Sequence, residues 1–407
     1  MKCRHCHHPL GPAFLDLGFA PPSNSYLTQA DLQAAEITFP LRLRVCDQCW
    51  LVQTEDYARA DEIFRADYAY FSSTSKSWLS HAAKYSVDIT QRLNLSSDSL
   101  VIEVASNDGY LLKNFVQAGI PCLGIEPTDA TAEAAERLGI PVTRAFFGEA
   151  LARQLVADGY QADLVCGNNV FAHVPDINDF TQGLATVLKP AGVVTLEFPH
   201  LLRLLDECQF DTVYHEHFSY LSLGVTQRIF ERAGLRIFDV EELQTHGGSL
   251  RVYGCLANAL HPQTGSVNSI LKKEYAAGLE SIEPYAAFQN RAEAVKNGAL
   301  SFLLKAKKNG KTVAAYGAAA KGNTLLNFAG VGKDLIQFVS DAAPSKQGKF
   351  LPGSHIPVFS PQVLKDTRPD YILVLPWNIA DEIRSQLADM TDTGSVFVTF
   401  IPELRFR

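Results

Sequence analysis

Two groups of side chains in this chain have the types and spacing to do chemistry. The first is the run Asp211-Thr212-Val213-Tyr214-His215-Glu216-His217-Phe218-Ser219-Tyr220, the densest set of acid/base groups in the sequence. A histidine hydrogen-bonded by a carboxylate is an oriented base poised near neutrality. A tyrosine hydroxyl can donate to a developing oxyanion. Together they suit removal of a proton next to a carbonyl, with the enolate held until it attacks. The run is not the zincin motif H-E-x-x-H, and histidines two apart do not share a helix face. In an extended segment Tyr214 and Glu216 face one way and His215 and His217 the other; in a loop no such rule applies. Metal binding is the rival reading, and structural burial of polar groups the plain one. The second group is Cys3-x-x-Cys6 with Cys46-x-x-Cys49. Each pair makes a tight thiolate chelate, and two chelates form the closed tetrahedral site of structural Zn²⁺. Buried or redox-active cysteines are the alternative. His5, His7 and His8 lie alongside, but two full pairs leave no vacancy, so these histidines are expected at the surface.

A third segment, Val101 to Tyr110, reads as a buried strand, a turn of small residues and the start of a helix. Gly109 there allows close backbone approach, and a helix N-terminus favours carboxylate or phosphate. Cys122–Glu126 is the next apolar strand. Its terminal acid, Glu126, is placed to accept from both hydroxyls of a ribose, although a solvated strand-end acid is an ordinary alternative. The turn is not G-x-G-x-x-G, which argues against a dinucleotide and its pyrophosphate. A ligand with a positive centre and an amino-acid end fits better, and S-adenosylmethionine is such a ligand. The fourth strand ends in Gly167-Asn168-Asn169-Val170-Phe171-Ala172-His173, which places Asn168 and His173 near the transferred group; a satisfied structural histidine is the equal alternative for His173.

Tyr68 and Tyr70 offer hydroxyls where the cysteine unit meets the strand-rich region, with interface packing as the bland alternative for Tyr70. His246-Gly-Gly-Ser-Leu-Arg251 combines backbone access with a cation and could line the cleft. Lys321, in Ala318-Ala-Ala-Lys321-Gly322-Asn323, sits at a strand-to-helix turn suited to phosphate, or is a solvated lysine.

These groups need a frame. Residues 1 to about 75 are irregular, with Pro21-Pro22 and short strand-like runs such as Leu41 to Val45. From Ser99 apolar runs alternate with helical patterns, which predicts a parallel sheet covered by helices. Residues of about 266–308 predict one or two connecting helices. A second alternating unit begins at Thr312–Tyr316 and includes runs at Leu335–Val339, Tyr371–Leu375 and Val396–Ile401. The expected divisions are 1–75, 76–265, 266–310 and 311–407.

At 407 residues more than one core is expected, and 47% hydrophobic with 20% charged residues is ordinary globular composition. The formal net charge of −8 argues against a nucleic-acid-binding surface. No apolar run approaches a membrane span, and the start has no apolar signal region. Cys122, Cys166, Cys208 and Cys255 read as core residues in a reducing cytoplasm.

The whole set resembles the zinc-containing, S-adenosylmethionine-dependent C-methyltransferases that act on nucleotide-linked keto-deoxysugars. The resemblance rests on the two C-x-x-C pairs, E-V-A-S-N-D-G, G-N-N-V-F-A-H-V, Y-H-E-H-F-S-Y, H-G-G-S-L-R and Y-G-A-A-A-K-G-N, in that order over nearly the whole chain. It implies an α/β protein with an N-terminal zinc-binding subdomain, a central class I methyltransferase (Rossmann-like) domain and a smaller C-terminal Rossmann-like domain. It implies methylation at C3 of a nucleotide-linked 4-keto-6-deoxyhexose; a cytoplasmic monomer is expected separately. His217 then resembles the general base, with Tyr214, Glu216 and Tyr68 around the sugar and His173 near the reacting carbon. The methyl donor lies over Glu103, Ala105, Ser106, Asn107, Asp108, Gly109, Tyr110 and Glu126, with Asn168 nearby. Tyr70, His246, Arg251, Lys321 and Asn323 are the expected substrate contacts, under a C-terminal domain that closes the cleft. Zinc on Cys3, Cys6, Cys46 and Cys49 is structural and remote. Competing readings are methylation of another small-metabolite carbon or hydroxyl, a non-catalytic binding protein, and methylation of nucleic acid.

Overall fold

The computed structural model describes residues 1–57, 71–392 and 394–407. Its three sheets are each built from segments whose patterning differs. The N-terminal strands β1 (Leu15–Ala20) and β2 (Phe39–Val45) alternate or nearly so, with Leu15, Leu17, Leu41, Leu43 and Val45 turned inward, while the short β3 (Val52–Thr54) is buried throughout. Burying one face of an antiparallel sheet requires this period of two.

The central strands are β4 (Val101–Val104), β5 (Cys122–Ile125), β6 (Val142–Thr143), β7 (Ala162–Asn168), β8 (Leu188–Pro199), β10 (Leu235–Leu243) and β11 (Ser249–Leu256). Their order is β10-β11-β8-β7-β4-β5-β6. From β8 to β6 every pair is parallel, while β11 runs antiparallel to both its neighbours. Parallel strands with helices on both faces bury both sides, so β4 and β5 are buried at every residue. The chain proceeds from β4 outward to β5 and β6, then returns to place β7 on the other side of β4. The crevice at the carboxyl ends of β4 and β7 is therefore a topological switch point, the place where open α/β sheets take ligands.

The third sheet contains β12 (Val313–Tyr316), β13 (Val339–Ser340), β14 (Val358–Phe359), β15 (Tyr371–Val374), β16 (Val396–Thr399) and β17 (Arg405–Phe406), in the order β14-β13-β12-β15-β16-β17. It is parallel except for β17, and its own switch point lies between β12 and β15. The strand expected at Leu335–Val339 is only Val339–Ser340, because Leu335 and Ile336 close a turn on Gly332. The connecting region forms three helices, Gly265–Ala276, Glu283–Ala286 and Phe288–Lys308; Gly278 at φ +76° separates the first two, and Pro284 sits in the first turn of the second.

One strand crosses these divisions. β9 (Ser219–Tyr220) belongs to the middle of the chain but pairs with β3, completing the N-terminal sheet. Among the described residues no helix is long and apolar enough to cross a membrane.

Candidate active site

The two switch points open onto one cleft of about 1390 Å³, lined from the central sheet, the C-terminal sheet and the N-terminal segment. Ala105, Asn107, Tyr110, Glu126, Asn168, His173, Tyr214, Glu216, His246 and Lys321, all singled out in the sequence, line it. Tyr68 and Tyr70 lie outside the described residues.

The turn after β4 takes positive φ at Ala105 (+57°), Asn107 (+50°) and Gly109 (+77°). It thus has the backbone of a glycine-rich turn with only one glycine. Asn tolerates this region and Ala does so at a cost of about 1–3 kcal/mol. Gly109 is needed for a different reason from close ligand approach. A Cβ there would meet Ile140 Cδ1 at 2.4 Å and Ala135 Cα at 3.2 Å, so its absence lets the turn pack on the helix Asp129–Glu136. Glu126 accepts the Asn107 N–H and the Thr128 N–H, each at 3.0 Å, and lines the cleft with acceptor capacity to spare. Asn107 and Asp108 in turn accept the N–H groups of Ser72 (2.9 Å) and Ser73 (3.1 Å). Glu103, Ser106 and Asp108 lie beneath the surface rather than on it. Burial, aided by the charge on Asp108, pushes the Glu103 carboxyl well above the usual range.

Asn168 carries the clearest sign of a ligand. The residue lines the cleft with 7% of it exposed, yet neither amide atom of its side chain has a hydrogen-bond partner among the described residues. A buried amide left unmade is costly, so a bound molecule that supplies both a donor and an acceptor fits there. S-adenosylmethionine, with its ammonium and carboxylate, meets that requirement, and Glu126 suits its ribose.

The helix Lys76–Leu93 supplies the opposite wall. Ser75 caps it by accepting the Trp78 N–H at 3.3 Å, and Asn94 ends it at φ +51°. Trp78 and His81, three apart, therefore share one face. Trp78 stacks on His81 (5.1 Å between centroids) and Tyr110 (5.9 Å), and meets His246 edge-on at 5.1 Å. His246 Nε2 accepts from Asn169 Nδ2 at 2.9 Å, and burial lowers its pKa to about 4. Beneath this wall Glu197, fully buried, accepts from His81 (2.8 Å), Arg251 (2.9 Å) and Thr245 (2.8 Å). Arg251 is spent on Glu197 and Glu241 and does not line the cleft, contrary to its expected substrate contact. Asn323 is likewise fully buried, donating to the Ser23 carbonyl at 2.6 Å.

Residues 214–217 form a turn closed by the His217 N–H on the Tyr214 carbonyl at 2.9 Å, not an extended strand. The turn brings the Tyr214 and His217 rings together, with centroids 4.0 Å apart and planes tilted by 34°. His173 meets His217 edge-on at 4.6 Å and hydrogen-bonds the Glu216 backbone. A carbonyl can only accept, so the 3.0 Å contact from His217 Nδ1 to Thr212 O puts the proton on Nδ1 and leaves Nε2 as the basic nitrogen. Burial first, then the nearby His173, keeps the His217 imidazole well below its ordinary pKa; burial holds His173 at about 4. Both rings are neutral at pH 7. His217 sits just behind Tyr214 and His173 and is 7% exposed. His215 points elsewhere, toward the Pro40 carbonyl and Phe39.

From the C-terminal sheet, Lys321 reaches the cleft, donating to Asn378 at 2.8 Å and lying 4.8 Å over the Trp377 ring. Burial lowers its pKa and Asp211 opposes the shift. Sequence reading missed Asn24, Trp78, His81, Asn169, Trp377 and Asn378. Pro21-Pro22 before Ser23-Asn24 marks a turn, the one local signal available for Asn24.

The cysteine unit fits zinc. The four sulfurs lie within 4.8 Å of one another, with Cys3–Cys49 and Cys6–Cys46 at 3.5 Å. Tetrahedral Zn–S bonds of about 2.3 Å need sulfurs about 3.8 Å apart. The hydrogen bond from Cys49 lowers the Cys3 thiol to about 5 and raises Cys49 itself, so four ionised sulfurs here require a cation. His5 is buried rather than at the surface, bonded to Asn178 at 2.8 Å.

Three family models match the chain: a zinc binding domain over residues 3–64, a methyltransferase domain over 78–240 and a C-methyltransferase C-terminal domain over 244–402. The C-methyltransferase NovU of Streptomyces niveus is 36% identical over 404 residues, spanning 99% of this chain and 96% of NovU. An uncharacterized methyltransferase of Mycobacterium leprae (strain Br4923) is 29% identical over 100 residues, 24% of this chain and 36% of its own length. Among solved structures, an S-adenosylmethionine-dependent methyltransferase from Clostridium acetobutylicum aligns with a TM-score of 0.36 at 10% identity, over 44% of this chain and 92% of its own.

Proposed function

The chain belongs to the C-methyltransferase family, an S-adenosylmethionine-dependent enzyme with a zinc-binding unit, and on that premise we propose that it methylates C3 of a nucleotide-linked 4-keto-6-deoxy sugar. The observation that carries the reading is a neutral imidazole of defined tautomer, His217, between Tyr214 and His173 beside a cleft shared by two sheet switch points.

A ketone at C4 acidifies the C3 hydrogen. His217 Nε2 takes that proton, the C–H electron pair moves into the C3–C4 bond, and the carbonyl pair moves onto oxygen. The Tyr214 hydroxyl donates to that oxygen. Bound S-adenosylmethionine supplies an electrophilic sulfonium methyl. The enolate attacks that methyl through C3 while the S–CH3 electron pair stays on sulfur, leaving S-adenosylhomocysteine; the carbonyl then reforms and His217 releases its proton to water. A low imidazole pKa keeps the base unprotonated, and the enolate charge beside it compensates for its weakness during the transfer.

The substrate reading is supported by the size of the cleft and by its second wall. A cavity of about 1390 Å³ exceeds what the donor fills, and Lys321 and Asn378 offer a cation and an amide at the C-terminal switch point for a nucleotide. The test is incubation of methyl-labelled donor with a panel of nucleotide-linked 4-ketosugars, read by mass spectrometry. Label on a carbon beside the ketone is expected. Label on oxygen, or on no ketosugar, overturns the reading.

A further inference from the structure

The cysteine unit and the Tyr214–His217 turn are joined by direct contacts. β3 starts three residues after Cys49 and pairs Val52 with Tyr220 and Gln53 with Ser219. Thr54 N–H donates to Phe218 O at 3.2 Å, and Thr54 Oγ1 donates to His217 O at 3.1 Å. Arg4, between Cys3 and Cys6, donates to Thr54 O at 3.2 Å and lies 5.3 Å over the Phe218 ring.

A second contact comes from the loop before β2. Asn24 Nδ2 donates to both oxygens of Glu216, at 2.7 and 2.9 Å. One amide nitrogen shared between both oxygens holds the carboxylate centred on it, and the charge on the acceptor strengthens the contact. The loop is itself anchored to the C-terminal sheet. Asn323 holds the Ser23 carbonyl, Tyr26 donates its hydroxyl to Ala318 O, and Leu27 pairs with Phe350.

We propose that Asn24 and Thr54 are positioning residues: Asn24 sets the side chain of Glu216 and Thr54 sets the main chain at His217. The N-terminal unit is then part of the acid/base apparatus, not a remote stabiliser. The inference rests on the catalytic reading of His217. Displacing a catalytic group by about 1 Å can lower the rate about a hundredfold, whereas binding away from that group is spared.

The test compares Asn24→Leu, Thr54→Val and Thr54→Ser with the full-length protein. Turnover is read with labelled donor and the ketosugar panel, donor-site binding with S-adenosylhomocysteine, and local order by amide hydrogen exchange. Asn24→Leu and Thr54→Val are expected to lower kcat at least about tenfold. KM for the sugar and Kd for S-adenosylhomocysteine should stay within about threefold, and exchange should rise within residues 213–220 but not within 101–126. Thr54→Ser keeps the hydroxyl and should recover the wild-type rate. Unchanged kcat, or faster exchange throughout the chain, overturns the proposal. If the unsubstituted protein labels no ketosugar, the substrate reading has failed. The exchange arm then decides this inference alone, with unchanged protection at 213–220 overturning it.

Discussion

Trp377 donates its indole N–H to the carboxylate of Asp211 at 2.7 Å, joining the loop after β15 to the segment that leads into the acid/base turn. Asp211 is fully buried, and burial raises its pKa to about 6 against the opposing influence of Lys321.

The sign of that shift gives a prediction. A carboxyl whose pKa is higher folded than unfolded contributes stability that is fully present below about pH 4 and is lost as pH rises through about 6. The shift from 3.8 to about 6 corresponds to ~3 kcal/mol. Asp211→Asn keeps an acceptor for Trp377 and removes the titration. Its stability relative to wild type should therefore rise by ~2 kcal/mol between pH 4 and pH 7, with the remainder of the change falling below pH 4, measured by urea unfolding at both. A constant difference across that range would remove Asp211 as a buried ionising group.

His217→Asn should lose turnover by about 10²–10⁴-fold, the range of a general base, while S-adenosylhomocysteine binds as before. Calorimetry and single-turnover labelling separate the two. Because the imidazole sits well below 6.5 in the folded protein, kcat/KM should be flat above that pH and fall only on the acid side. A variant with near-normal turnover would eliminate this residue as the base. Wash-in of solvent deuterium beside the ketone tests proton removal separately.

Asn168→Ala should weaken S-adenosylhomocysteine binding by about 5- to 100-fold, the equivalent of about 1–3 kcal/mol for hydrogen bonds made only to ligand. Among the described residues no hydrogen bond is lost, since the Asn168 side chain makes none with them. Its melting temperature without ligand should therefore stay within about 1 °C of wild type, a shift of under about 1 kcal/mol. Unchanged affinity would take Asn168 out of the donor site.

Elemental analysis should find one zinc per chain, and Cys46→Ser should abolish it. Cys46 leads through Leu51 and Val52 into β3, so the loss should reach the Ser219–Tyr220 pairing. A melting temperature lower by more than about 10 °C is expected, consistent with a structural metal whose binding energy is folding energy. Full zinc content in that variant would show that four cysteines are not the ligand set.

Much of this was legible in the chain because the signals are local. Cys46 and Cys49 are three apart, which sets their sulfurs for one ion whatever surrounds them. Val101–Val104 is uniformly apolar but for Glu103, as a strand buried on both faces must be, and Glu126 follows its own strand directly. The second alternating unit was visible for the same reason. The role of Gly109 was misread because its neighbour Ile140 arrives from another element. Arg251 looked like a free cation because Glu197, which neutralises it, lies 54 residues away.

Residue type and short spacing thus determined by themselves the cysteine quartet, the alternating sheets and a cluster of imidazoles and phenols with the chemistry for acid/base work. Tertiary structure alone decided which nitrogen of His217 is basic, that Asn24 grips Glu216 across 192 residues, and that two switch points open onto one cleft. The reason is that local periodicity governs which backbone conformation a segment can bury. Pairing between distant donors and acceptors is settled only when burial deprives each of water and leaves it one partner.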